Sequence, residues 1–290
     1  MALLAGCALN AQQKDALGGF GLAANQLGEI TSSELSAMRD DTARMNVERL
    51  LLGGKSKDPR LADQRALDRG FELSRVEAVA GATRALAGYG ALLAALASDG
   101  QSATIMAASQ AFSANLGALP DVGSELREQQ RKAIGAALNG VGSGFVNYKR
   151  KQAVTAIVNN ADAAVALLCD LLIRDFAPDD GWVALQLQVV EAPLLVEVTN
   201  ALYDGTSYSQ RKAATQGFWL THRSRLRRTE VLERVVSAAQ AMKKANKELI
   251  EAVNHRQPPG AAIIDFIQRS QALGAAVKAA VSHPAGENHG

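Results

Sequence analysis

The chain has 290 residues, 54 of them alanine, against only 7 Phe, 4 Tyr and 2 Trp. Its 31 basic and 29 acidic side chains leave a net charge of +2, which excludes the global positive field of a nucleic-acid-binding protein. Alanine favours closely packed helices, and so few aromatic and β-branched runs exclude an all-β core. The reading is all-α: an elongated antiparallel helical bundle with long helices. Residues 1–30 read as an anchor remnant and flexible tether, 31–281 as a single bundle domain, and 282–290 as a disordered tail.

The chain opens Met-Ala-Leu-Leu-Ala-Gly-Cys. Leu4-Ala5-Gly6-Cys7 resembles the lipobox of bacterial lipoproteins. The resemblance covers these four residues and no more of the chain. It implies signal-peptidase cleavage before Cys7, a diacylglycerol on the Cys7 sulfur, and a periplasm-facing location. Ala8 after the cysteine implies sorting to the outer membrane. Only Met1-Ala2-Leu3 precede the box, whereas a full secretory signal carries a basic region and a longer apolar stretch. Residues 8–30, polar and rich in Gly and Ala, read as the tether.

Thr31-Ser-Ser-Glu34 reads as a capping box that starts a helix near Ser32 and runs to Leu52. Gly53 to Pro59 is a loop. A helix follows from about Arg60 to Ser98, roughly 58 Å long at 1.5 Å per residue. Its second half, 85–98, is uncharged but is only 14 residues long, short of the ~20 that span a bilayer. Asp99-Gly100 turns the chain into a second uncharged helix, 101–117, packed antiparallel to the first. Residues 125–138 read as a helix, and the glycines of 140–144 as a turn or a close helix contact.

Val154, Val158, Ala161, Val165, Leu168 and Leu172 form a heptad stripe in a helix over 146–176. Residues 182–202 are ambiguous. Leu185, Leu187 and Val189 alternate like a strand, whereas Leu187, Val190 and Leu194 fit a helix face. Pro193 excludes a central strand, so a kinked helix is expected. The last long helix, about 209–254, carries the seam Leu232, Val235, Ala239, Met242, Asn246, Leu249 and Val253. Asn246, polar within that seam, is suited to fixing register. Residues 261–281 form one more helix.

Several motifs are incomplete. Gly54-Lys55-Ser56 matches the end of a phosphate-binding loop, but Arg49 stands where its first glycine belongs and a helix precedes it. Gly140-Val-Gly142-Ser-Gly144 fits neither a dinucleotide loop nor a nucleophile elbow. The two cysteines and four histidines have no zinc spacing, so neither a metal nor a cofactor is expected. Asp40-Asp41 and Asp179-Asp180 are neighbours that do not converge on one helix face. Cys169, in an apolar helix, reads as a buried inert thiol.

Between Arg211 and Arg256 the chain holds 11 basic and 4 acidic residues. Trp219, Arg223, Arg225, Arg227 and Arg228 are the candidate interaction surface, facing a protein partner or an envelope component rather than nucleic acid. The competing reading is a solvated face paired with acidic neighbours. The uncharged hairpin 85–120 resembles those of α-helical pore-forming toxins, and its membrane-contact candidates are Leu92, Leu93 and Leu96. The expected function is a non-catalytic binding or structural lipoprotein, acylated at Cys7. The alternatives are a membrane-active protein that inserts the hairpin, and a lipoprotein that neutralises a toxin entering the periplasm. Without lipobox use the location is the cytoplasm.

Overall fold

In the computed structural model the described residues are 9–52, 70–98, 102–117, 147–204, 207–255 and 260–281. They form α1 (Ala11–Leu52), α2 (Leu73–Ala97), α3 (Ser102–Gly117), α4 (Asn147–Asp175), α5 (Trp182–Asp204), α6 (Tyr208–Leu226), α7 (Leu232–His255) and α8 (Ala261–Val281). A π-helical turn, Arg227–Val231, links α6 to α7 without a break. No strand occurs among the described residues, so the fold is all-α. The loop 53–59, the first part of the expected 60–98 helix, the 125–138 helix, the glycines of 140–144 and the tail 282–290 lie outside the described residues.

Helix α1 begins at Ala11, twenty-one residues before its expected start near Ser32. Asn10 Oδ1 accepts from the Gln13 N–H at 2.7 Å, and Gln13 Oε1 accepts from the Asn10 N–H at 3.1 Å. This reciprocal pair is a capping box at Asn10-Ala-Gln-Gln13. Thr31 and Glu34, expected to cap, instead lie inside α1 and are buried. From Ala11 onward the tether is therefore helix, with Leu17, Phe20, Ala24 and Leu27 fully buried.

The chain divides into two compact units. The first gathers Met1–Ser32, Ala78–Ile173 and Val235–Gly274. The second gathers Ser33–Glu77, Arg174–Arg234 and Ala275–Gly290.

In the first unit the glycines that suggested a tether bring backbones together. A Cβ on Gly21 would lie 2.5 Å from the Ala94 nitrogen and 2.7 Å from the Gly90 oxygen. A Cβ on Gly28 would strike the Thr83 carbonyl and Ala87. Thus α1 and α2 pack antiparallel along small residues, because only small residues admit this approach. Phe112 of α3 sits over Gly88, and Asn115 Nδ2 donates to the Arg84 oxygen at 3.3 Å, so α2 and α3 form the expected antiparallel hairpin. Phe20 contacts Tyr89 and Phe266, with ring centroids 6.2 and 5.2 Å apart.

Both heptad seams are buried. All six stripe residues of α4 and all seven seam residues from Leu232 to Val253 are inside. Asn246 is satisfied on both sides. Tyr89 Oη donates to its Oδ1 at 2.8 Å, and its Nδ2 donates to Asp162 Oδ1 at 2.9 Å. This chain joins α2, α7 and α4 at one height, which is what register fixing requires. Burial, helped by Asp162 and Cys169, raises the Tyr89 hydroxyl pKa above its ordinary value.

In the second unit, Met45 of α1 packs with Val190, Leu194 and Val198 of α5 and Ala214 of α6. Gly217 of α6 lets Val198 and Leu194 approach. Phe71 meets Trp182 edge-on at 5.3 Å, and the Arg75 guanidinium lies 5.8 Å from the Trp182 ring. Arg75 also grips both oxygens of buried Asp175 at 2.9 and 3.0 Å. Helix α5 runs through Pro193, which resolves the 182–202 ambiguity in favour of helix.

Candidate functional site

Unit 2 holds the basic cluster of α6 and its π turn. Arg223 Nε donates to Asp41 Oδ2 at 3.0 Å, and Arg223 Nη2 pairs with Asp41 Oδ1. Arg227 Nη1 donates to the same Asp41 carboxylate. Arg227 Nε also lies 3.2 Å from Glu34 Oε2, without a hydrogen bond between those two atoms. Arg228 Nη2 is 3.6 Å from Glu191 Oε2, and Ser224 Oγ donates to Glu191 Oε1 at 2.5 Å.

Helix spacing explains which arginines converge. Residues 223 and 227 are four apart and share a face, and the widened turn seats Arg227 inward with Val231 and Leu232 behind it. The result is a buried ion cluster in which Asp41 receives two guanidinium groups. Burial pushes the Glu34 carboxyl above the usual carboxylate range. Arg227 opposes that shift, and the Asp41 charge adds to it.

The expected interaction surface is therefore corrected at three of its five residues. Arg227 is buried, and Arg223 and Arg228 are half-buried and paired with Asp41 and Glu191. The paired reading of the charge run holds for them. Arg225 is exposed, and Trp219 is 47% exposed. Trp219 stands in an aromatic group with Phe218 and His222, whose rings are 6.1 and 5.9 Å from it.

The membrane-contact candidates are corrected as well. Leu92, Leu93 and Leu96 are fully buried in the first unit. Helix α2 is covered on more than one side: Gly90 and Ala94 meet α1, while Leu92 and Leu96 lie on the other side of the helix and are buried there. Cys7 lies outside the described residues. Cys169 is buried, and burial, with Asp170 adding, pushes its thiol up to about 12, which makes it a poor nucleophile.

The surface that sequence reasoning missed is the outer face of α5. Leu185, Val189, Val196 and Tyr203 are exposed by 44 to 87%. They lie opposite Leu187, Val190, Leu194 and Val198, which are buried. With Ala192 and Thr199, the outer positions 185, 189, 192, 196, 199 and 203 repeat at 4, 3, 4, 3 and 4. The helix thus carries a second seam pointing away from the core. The signal was present: Leu185 and Val189 alternate with the inner set because α5 is apolar on both sides.

Length and composition would allow three described helices to cross a membrane: Leu73–Ala97, Arg150–Asp175 and Trp182–Asp204. The count over 85–98 alone missed the first of them. The fold covers 78% of the apolar window in the first, 44% in the second and 39% in the third. Helix α5 therefore leaves the most apolar surface uncovered.

Elsewhere, an open groove of about 370 Å³ in the first unit is lined by Asp170, Ile173, Gln240, Lys243, Lys244 and Lys247. Lys243 Nζ donates to both Asp170 oxygens at 2.6 Å, so part of the positive charge is neutralised. Among the described residues no cluster of three His, Cys, Asp or Glu side chains could hold a metal. No protein-family model, curated protein or solved structure matches the chain.

Proposed function

We propose that this chain is a non-catalytic helical lipoprotein of the bacterial envelope that works by presenting one surface, the outer face of α5, to an envelope component. The observation that carries this is the exposed apolar seam from Leu185 to Tyr203. A soluble monomer rarely leaves such a contiguous patch bare unless something covers it. The lipobox-like Leu4-Ala5-Gly6-Cys7 supplies the location: acylation at Cys7 holds the chain at the periplasmic side of a membrane.

Intact mass spectrometry of the mature protein tests the location. The protein is expressed in a Gram-negative host with its natural upstream reading frame. An N-terminal Cys7 carrying two or three acyl chains is the expected result. A chain that retains Met1 would overturn the envelope assignment. Cys7→Ser should abolish both the cleavage and the added acyl mass.

A further inference from the structure

We infer that the envelope component which this face engages is the bilayer itself, with the outer face of α5 lying at the interface of a membrane rich in anionic headgroups. The inference rests on the choice of surface made above and does not require the acyl anchor.

Three observations converge. The first is breadth. Leu195 and Leu202 flank the outer seam of α5 and are 38 and 53% exposed, so the apolar surface is wider than the two positions per heptad that a partner helix covers.

The second is aromatic chemistry. Tyr203, on the outer seam, and Tyr208, at the start of α6, are exposed by 87 and 76%. Tyrosine offers an apolar ring and a polar tip, the combination that favours the headgroup level.

The third is charge. Helix α6 has no acidic residue. Arg211, Lys212 and Arg225 are exposed, and none of their side chains has a partner among the described residues. These cations match anionic headgroups, while Arg223 is already paired with Asp41. Pro193 fits the same setting. It deprives the Val189 carbonyl of its helical donor on the exposed side, where water or headgroups can reach it.

The test uses the full chain as Cys7→Ser, which removes the acylation site. The protein is floated with vesicles of phosphatidylcholine alone or mixed with phosphatidylglycerol. Flotation with the mixed vesicles and loss of binding at high salt are expected. Each basic residue near an anionic surface contributes about 1 kcal/mol, so Arg211, Lys212 and Arg225 together favour the mixed vesicles on the order of a hundredfold.

Val196→Asp should abolish flotation, and Arg211→Glu with Lys212→Glu should remove the preference for anionic lipid. Circular dichroism checks that each variant keeps its helix content. Equal flotation with neutral vesicles would overturn the inference, as would no flotation by folded protein. A dimer that dissociates on Val196→Asp, with no vesicle binding, would also overturn it and assign the face to a second copy. Absence of vesicle binding leaves the mass of the mature N-terminus unaffected, so the two readings fail separately.

Discussion

Asp41→Ala is the perturbation that the ion cluster of unit 2 answers most directly. Asp41 is 5% exposed in its side chain and receives Arg227, which is 6% exposed, and Arg223, which is 36% exposed. Removing it leaves a buried guanidinium whose remaining acidic neighbour, Glu34, approaches without a hydrogen bond to Nε. Breaking a buried pair in this way costs about 3–5 kcal/mol. Two effects pull the value toward the lower end. Arg223 is open enough for water to replace its partner, and loss of the Asp41 charge lets Glu34 ionise more readily beside Arg227.

The expected loss is therefore about 3 kcal/mol, against no more than about 0.5 kcal/mol for Arg225→Ala on the exposed side. Urea unfolding followed by tryptophan fluorescence measures it in the right place, since Trp182 and Trp219 both belong to unit 2. A loss below about 1 kcal/mol would place this cluster with ordinary surface ion pairs and refute the reasoning.

Other outcomes follow from the same structure. Gly90→Ala would push a Cβ onto the Gly21 oxygen at 2.5 Å and onto the Asn25 nitrogen, so helix content should melt earlier by at least the ~1–3 kcal/mol of an overpacked core. Gly18→Ala meets only Ala97 Cβ at an ordinary 3.4 Å and should be neutral or stabilising, through its better helix propensity. Equal melting temperatures for these two variants would contradict backbone-to-backbone packing of α1 on α2.

Glu34 has its pKa raised above 4.5, so the folded protein holds that proton more tightly than the unfolded chain. The stability this provides is fully present below about 4.5 and is lost as pH rises through the raised value. Glu34→Gln should remove this fall, seen as a flatter urea midpoint against pH; parallel profiles would refute it. In the Cys7→Ser protein, Cys169 should resist alkylation at mildly alkaline pH until denaturant exposes it, because its thiol is held up near 12. Rapid labelling of the folded protein would contradict its burial.

Periodicity carried most of the fold. The stripes of α4 and α7 were legible because each packs one face inward, and a 4–3 repeat then has one meaning. The start of α1 was not, because glycine and alanine have the same composition in a tether as in a close helix contact. Gly21 and Gly28 acquire their role only from Gly90 and Thr83, some sixty residues away. Asn10-Ala-Gln-Gln13 was a local signal that could have placed the start.

The basic cluster was legible as a cluster but not as an interior one. Asp41, Glu34 and Glu191 are distant in sequence, and no local pattern says that they will meet α6. The outer face of α5 was hidden for a different reason. A helix apolar on two sides reads as ambiguous until the packing shows which side is taken, and here Val190 and Leu194 are taken while Val189 and Val196 are not.

The most direct test of the claim that this face is covered in its working state is cysteine protection in native membranes. Val196→Cys, Tyr203→Cys and, on an exposed position of the first unit, Gln110→Cys are made in the otherwise natural chain. Cys169 is buried, and the chain without an introduced cysteine gives the background from Cys7. A water-soluble maleimide should label residue 110 equally in envelope vesicles and in detergent-purified protein. Residues 196 and 203 should be protected in the vesicles and labelled after purification. Equal labelling of all three thiols in the vesicles would contradict the account.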